Sequence, residues 1–592
     1  MEKKWNLDTL YTSFKSTEFI GDIAQCKKLI LTYNDFANNV STKDTNLTYS
    51  LENYIALETS LHKITSKLYI YCQLVTSVNT KDREGLKYSD ILEAMISDLS
   101  KAKTRIQKWI GAIDGIEDII DLSILLKEYK FYFLEIKDNC KYILSEDEEN
   151  IIAKMKNSGS NAWAKLRELL TSTLTVDIII NGEKQSLPLT VIRNMAYDKD
   201  SNLRKTAYMA ELKAYEKIED SIAGCLNGIK GEVITITKLR GYKSPLEETV
   251  LNSRMELKTL EVMIASMKES FPYFQKFFKR KGELLGYPIG LPFYELFAPI
   301  GEVDSKFTYE EAATYIENTF RSFSDKLADF ARMAFEKEWI DAYPRDGKVG
   351  GAFCENIHVI GESRVMSNFG GTFNDVVTLA HELGHAYHGD CLNKEKTLNS
   401  DYPMPIAETA STFCETIIKK TAIKNANKKE ALNILETDIS DCAQVIIDIY
   451  SRFLFEKEVF EKRNVSSLST EELKNIMLKA QMEAYGEGLD KNYLHPYMWI
   501  CKPHYYYANS NFYNFPYAFG QLFSKGLYAK YIEEGKAFSI KYDKLLSITG
   551  KNSLKAIGEF VNIDINSKDF WESSLGVIKE DIDNFLTLSK DM

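Results

Sequence analysis

The sequence predicts a mainly α-helical protein with a small β element. Three observations predict it: apolar residues recur at three-to-four spacing over long stretches, strand-like segments are short and few, and only 12 prolines and 30 glycines punctuate 592 residues. A chain of this length exceeds what one hydrophobic core organises, so two or more subdomains are expected. The composition, 44% hydrophobic and 27% charged, is that of a folded globular protein.

Roughly the first 170 residues read as long amphipathic helices, with Tyr88, Ile91, Leu92, Met95, Leu99, Ile106 and Ile110 marking one apolar face. Thr175 to Ile180 is strand-like and runs into Asn181-Gly182, the pair suited to a type I′ turn, so a short hairpin is expected over 175–187. The hairpin places a boundary between an N-terminal helical region, 1–190, and a second region, 191–592, that carries the motifs below.

Helical periodicity resumes near Thr190 and is broken by loop signals at Gly286–Pro292 and Tyr343–Gly351. Between Ala352 and Phe369 a β-compatible stretch split by Gly361-Glu362 reads as a second small hairpin, leading into Gly370-Gly371. Thr372 to Gly389 reads as one helix, begun by the Thr372-x-x-Asp375 capping pattern and ended at Gly389. After Pro403 and Pro405, Ile406–Ile417 reads as another, burying Ile406, Ala410, Phe413 and Ile417. No internal repeat or low-complexity tract appears.

The net charge of −11 and the lack of a long basic run argue against nucleic acid as a partner. The N-terminus lacks the apolar run of a signal peptide, and no window reaches about 18 apolar residues, so no membrane association and a cytoplasmic location are expected. Nine cysteines are scattered without a C-x-x-C pair and read as reduced; Cys354 and Cys414, near the motifs, read as small core residues.

His381 and His385 lie four apart, so on a helix both project from one face and their ring nitrogens reach a common point, as tetrahedral zinc requires. Glu382 lies about 100° round the helix. It borders the open side of such a metal, the place for a base that takes a proton from water. With seven histidines in the chain, a chance H-E-x-x-H is expected in roughly one per cent of such sequences or fewer. The flanking Val376, Val377, Leu379, Ala380 and Leu383 embed the helix in a core, where imidazoles need partners. A catalytic zinc needs a third protein ligand, and the next helix offers Glu408, with Glu415 two turns on either orienting a histidine or standing in solvent. His388, three residues past His385, is a competing ligand candidate; His62, His358 and His495 read as structural or surface residues.

His381-Glu382-Leu383-Gly384-His385, followed by Glu408 in Ala407-Glu408-Thr409-Ala410-Ser411, resembles the thimet oligopeptidase family of zinc metallopeptidases, and within it the oligoendopeptidase F branch. Trp5 to Tyr11 is similar to that branch's N-terminal signature, Arg364 to Gly371 to its strand before the metal helix, and Lys502–Tyr506 with Pro516–Gly520 to its aromatic C-terminal motif. The resemblance implies a two-lobed, zincin-type helical metallopeptidase with a deep substrate channel and a small β element beside the zinc helix. It also implies one zinc per chain on His381, His385 and Glu408, and hydrolysis of internal bonds in short unstructured peptides by the 191–592 region.

Lys502 to Gly520 is dense in tyrosine and phenylalanine around His504, and a positioned phenol or imidazole stabilises a developing oxyanion by about 3 to 4 kcal/mol. By resemblance Tyr517 is the leading oxyanion donor, His504 a substrate-binding and catalytic partner, and Tyr513 either substrate-facing or packed. Gly370 and Gly371 would let a peptide backbone approach, and the strand before them could pair with it. Two other readings stay open: a carboxypeptidase or dipeptidyl carboxypeptidase of similar architecture, and a non-catalytic helical peptide-binding protein with a structural zinc.

Overall fold

A computed structural model describes residues 3–301, 306–590 and 592. Helices dominate, and the strands are β1 (Thr175–Ile180), β2 (Glu183–Pro188), β3 (Ile340–Asp341), β4 (Phe353–Ile357) and β5 (Glu362–Met366). Two compact units share the chain discontinuously: unit 1 comprises Met1–Ile151, Ser305–Ile418 and Lys530–Asn562, and unit 2 comprises Ile152–Asp304, Lys419–Ala529 and Ile563–Met592. This compactness does not follow the single boundary expected near residue 190. Ile357 and Met366, from the sheet, belong to one core with the N-terminal helices, a contact between segments far apart in sequence.

In unit 1 the helices Thr17–Asn39 and Leu47–Val78 start on side-chain caps, Ser16 and Asn46, and bury Phe19, Tyr33, Leu51, Leu68 and Leu74. Beside them lies a three-stranded sheet in the order β3-β5-β4, with β4 antiparallel and β3 parallel to β5. The N-terminal segment locks onto this sheet. The Asn6 N–H donates to Glu338 O at 3.0 Å, and the buried Arg364 of β5 donates to Asn6 O at 2.7 Å and Thr9 Oγ1 at 2.8 Å. The Trp5 to Tyr11 motif thus covers the strand that leads to the histidine helix.

That helix, Phe373–Leu392, begins on the capping box expected from Thr372 and Asp375. It does not end at Gly389. A Cβ there would sit 2.3 Å from Asn356 Oδ1, so Gly389 admits β4 against the helix and is no terminator. Val376, Val377, Leu379, Ala380 and Leu383 are all buried, and each large aliphatic among them adds about 1.5 to 3 kcal/mol. Residues from the 530–562 segment complete the packing: Asp543 accepts from the Tyr387 hydroxyl, and the Phe413 ring stacks on Tyr542 at 4.5 Å.

In unit 2, β1 and β2 form the expected hairpin, with Ile180 opposite Glu183 and positive φ at both turn residues, 52° at Asn181 and 82° at Gly182. Its helices include Glu219–Arg240, Leu257–Leu284 and Ile449–Arg463. Three buried lysines there have carboxylate partners: Lys230 with Glu456 at 2.7 Å, Lys281 with Glu436 at 2.6 Å and Lys419 with Asp438 at 3.0 Å. No helix among the described residues is long and apolar enough to cross a membrane.

Candidate metal centre and catalytic residues

The helix phase set by Thr372 brings His381 and His385 one turn apart, with their Nε2 atoms 3.1 Å from each other. Glu408 does not lie within a helix. A short turn, Met404–Ala407, ends at Glu408, and the next helix runs Thr409–Asn425. The Glu408 carbonyl accepts from the Thr412 N–H at 3.0 Å, and the Ser411 hydroxyl donates to Glu408 Oε2 at 3.1 Å. The break turns the carboxylate inward, where Oε2 stands 3.3 Å from His381 Nε2 and 3.4 Å from His385 Nε2.

Three donor atoms at edges of 3.1, 3.3 and 3.4 Å can be tested against a metal. A tetrahedron with bonds of about 2.0 to 2.1 Å has edges of about 3.3 Å. The residues therefore fit a zinc ion on His381, His385 and Glu408, with one apex left over, and the cluster is half-buried. His381 Nδ1 lies 2.5 Å from Glu415 Oε1. With the carboxylate accepting from Nδ1–H, the Nε2 lone pair is left for a metal. Burial alone would raise the Glu408 carboxyl, yet hydrogen bonds and charge from His381 and His385 hold it well below the usual carboxylate range. Glu382 is 6% exposed. Burial, with the charges of Glu408 and Glu415, pushes its carboxyl up against the opposing pull of the two histidines.

Gly384 explains how the two helices come this close: a Cβ there would lie 2.6 Å from Ser411 Cα and 2.7 Å from Ala410 O. A glycine inside a helix costs about 1 kcal/mol, so its presence between the histidines is the signal that could have revealed this approach. Asn356 of β4 was invisible in the sequence; its Nδ2 donates to His385 O at 3.1 Å, tying the sheet to the histidine helix. Glu355, also on β4, has its carboxyl pushed up to about 7 by burial.

His388 is turned away from the cluster: it is fully buried, with Nε2 2.8 Å from Thr549 Oγ1 and its ring stacked on Tyr402 at 4.1 Å. Cys414 is buried and Cys354 half-buried, and all nine cysteines are free. The strand before Gly370 is not a free edge, since Val365, Ser367 and Phe369 donate to Trp339, Asp341 and Ala342 at 2.8 to 2.9 Å. The Gly370 N–H goes to Asp375 at 3.2 Å. Gly371, at φ 86°, is needed for the approach of Phe307 O, 2.8 Å from a Cβ there. The edge strands of this sheet are β3 and β4, and among the described residues β4 pairs with β5 alone.

In unit 2, His504 stacks on Tyr513 at 5.2 Å and meets Tyr517 edge-on at 6.3 Å, and Tyr513 meets Tyr517 at 5.5 Å. Burial, with Arg452 and Lys502 nearby, holds the His504 imidazole down to about 4, so it is neutral at pH 7 and can donate only as N–H. The turn before Tyr513 puts the buried Phe512 at φ 51°, a left-handed conformation with no local signature in the chain. A second cluster of metal-capable groups, Glu211, His495 and Cys501, has the Arg193 Nε 3.4 Å from Glu211 Oε1, which supplies the positive charge a metal would bring.

Two histidines and a glutamate on one helix, faced by a second carboxylate within a helical body, define a metallopeptidase. Residues 194–577 match the model of peptidase family M3, and residues 114–175 that of Oligopeptidase F. The chain belongs to peptidase family M3, in its oligoendopeptidase F branch. The oligoendopeptidase F homolog of Lactococcus lactis subsp. lactis is 22% identical over 96% of this chain and 94% of its own length. Group B oligopeptidase PepB of Streptococcus agalactiae serotype III is 22% identical over 98% and 95%. The crystal structure of oligoendopeptidase-F from Enterococcus faecium superposes with a TM-score of 0.72 at 17% identity, covering 97% of this chain and 99% of that one. A solved chain from Chlamydophila abortus reaches 0.84 at 21% identity, covering 99% and 98%. The structural likenesses speak to the fold alone.

Proposed function

We propose that this M3 peptidase is zinc-dependent, holds one zinc on His381, His385 and Glu408, and cleaves internal bonds of short unstructured peptides. The observation that carries the reading is the triangle of donor atoms with near-tetrahedral edges, next to a buried carboxylate. Bound zinc supplies Lewis-acid chemistry, acidifying a water and polarising a carbonyl oxygen. Glu382 accepts the proton of the attacking water and returns it to the leaving amine nitrogen; its raised pKa suits a group that must both take and give. Glu415 holds His381 in the Nδ1–H tautomer. Family resemblance assigns the developing oxyanion to the Tyr517 phenol with help from the neutral His504, and Tyr513 packs against both rings.

For substrate binding we propose β4, in place of the strand ahead of Gly370, as the edge on which an extended peptide pairs. Backbone pairing is indifferent to side chains, which suits broad specificity. A purely structural zinc is disfavoured because the cluster offers three donors and keeps a carboxylate at its side.

The test is metal analysis combined with product mapping by mass spectrometry on a ten-residue peptide. One zinc per chain, internal cleavage, and loss of most of kcat in Glu382→Gln with zinc retained are expected. Release of only C-terminal residues or dipeptides would instead establish the carboxypeptidase reading, and a zinc-free active enzyme would remove the metal from the proposal.

A further inference from the structure

Unit 2 contains a cavity of about 340 Å³ that shares no residue with the metal-binding cluster. Its walls are largely apolar, with Phe293, Tyr208 and Met498 among them, while Arg193 and Lys502 bring two cations to the same space. Arg193 leans on Glu211, but that carboxylate oxygen already accepts from the Tyr215 hydroxyl at 2.8 Å. The Lys502 ammonium makes no hydrogen bond or ion pair among the described residues, and the Asp448 carboxylate, whose charge acts on it, is already paired with Arg452. A desolvated ammonium without a partner is costly, and burial beside Arg452 and Arg193 brings its pKa down to about 8.

The third group is His495. It lines the cavity at 2% exposure, and its Nδ1 accepts from the Tyr497 N–H at 3.3 Å, which leaves the proton on Nε2. That Nε2–H is buried and has no hydrogen-bond acceptor; the nearest carboxylate oxygen, on Glu211, is 3.5 Å away and already shared. A buried donor left unpaired is destabilising unless something completes it. The lining is thus rich in donors and positive charge, and its one carboxylate beside them, Glu211, is shared among Arg193, Tyr215 and His495, which leaves room for a further negatively charged acceptor.

We propose that this cavity is a binding site for a carboxylate joined to an apolar or aromatic group, about the size of one or two amino-acid residues. The carboxylate lies between Arg193 and Lys502 and accepts from His495 Nε2–H, with the apolar group against Phe293 and Met498. Arg193 offers the planar fork that matches a carboxylate. A guanidinium fork also suits phosphate; the apolar walls favour an organic acid. The Glu211, His495 and Cys501 cluster is not read as a metal site, because the guanidinium already occupies the place of the cation.

The test is calorimetry on the zinc-loaded protein with N-acetylphenylalanine and, as the neutral isostere, N-acetylphenylalaninamide. One-to-one binding of the acid is expected, with the amide at least tenfold weaker; this comparison needs no variant. Lys502→Met and Arg193→Met should each weaken the acid at least tenfold, Lys502→Arg should keep it within a fewfold, and His381→Ala should leave it unchanged. Tighter binding of N-acetyl-Ala-Phe would assign the site to peptide ends, and tighter binding of free phenylalanine to single amino acids; either outcome supports the carboxylate site. Equal binding of acid and amide, inorganic phosphate binding as tightly as the acid, or loss in His381→Ala with Lys502→Met unaffected would each overturn it.

Discussion

Gly384→Ala isolates the close approach that builds the proposed metal centre. The added Cβ would lie 2.6 Å from Ser411 Cα, 2.7 Å from Ala410 O and 2.9 Å from Ser411 N, all backbone atoms that no rotamer change can move aside. Ordinary contacts need about 3.5 Å or more, so the Thr409–Asn425 helix must retreat by roughly 0.6 to 0.9 Å. Alanine returns about 1 kcal/mol of helix propensity, while overpacking costs about 1 to 3 kcal/mol, so the net loss of stability is between about 0 and 2 kcal/mol. The metal suffers more. Glu408 moves with the helix, stretching the 3.3 and 3.4 Å edges towards about 4 Å, beyond the roughly 0.2 Å tolerance of a metal bond. Zinc affinity should fall by more than about tenfold and kcat/KM by about a hundredfold, with the fold retained. Chelator competition and urea unfolding measure the two halves separately. A Gly384→Ala protein that binds zinc like wild type and is stabilised by the full helix-propensity gain would refute the reasoning.

Glu415→Ala should weaken zinc by about 10- to 100-fold, because His381 loses the acceptor that fixes its tautomer, and the same competition assay reads it. Tyr517→Phe should lower kcat by roughly 10² to 10³ with KM little changed, the mark of a donor engaged mainly in the transition state; steady-state kinetics giving a normal kcat would return the residue to packing. His388 is fully buried, and its pKa is brought down to about 3 by burial and the nearby His385. Since an unfolded histidine titrates near 6.5, the unfolded chain binds the extra proton as pH falls, and stability should drop by about 2 kcal/mol between pH 7 and pH 5 from this residue. Urea titrations of wild type and His388→Phe at both pH values check it: the variant should lose that part of the slope.

What the sequence revealed of this protein was local in origin. The hairpin at Asn181-Gly182 and the capping box at Thr372 were legible because each is decided within four residues. So was the convergence of His381 and His385, which needs only helical spacing. Gly389 was misread because a glycine that ends a helix and one that admits a neighbouring strand look the same in one dimension; only Asn356, far away in sequence, tells them apart. The break at Glu408 was hidden for a related reason. Ile406, Ala410, Phe413 and Ile417 are all buried as a continuous helix would bury them, so periodicity gave no sign that the backbone departs from it between them. β3, two residues long and parallel, and the left-handed Phe512 depend on tertiary packing and carry no local signature. The interleaved units were illegible because they rest on pairings such as Met366 with the N-terminal helices, which no composition shift announces.

The dependence of the histidine helix on residues 530–562 has a consequence for biosynthesis. Thr549, Asp543 and Tyr542 pack behind His388, Tyr387 and Phe413. A nascent chain therefore makes every proposed metal ligand long before the residues that brace them, and at about 5 to 20 residues per second the gap from Glu408 to Thr549 lasts on the order of ten seconds. During that interval the helix presents an unsupported back face, and the peptidase has no settled metal site with which to attack its neighbours. Activity is thereby expected only after residues 530–562 have been made, and a product truncated before residue 540 is expected to emerge inert.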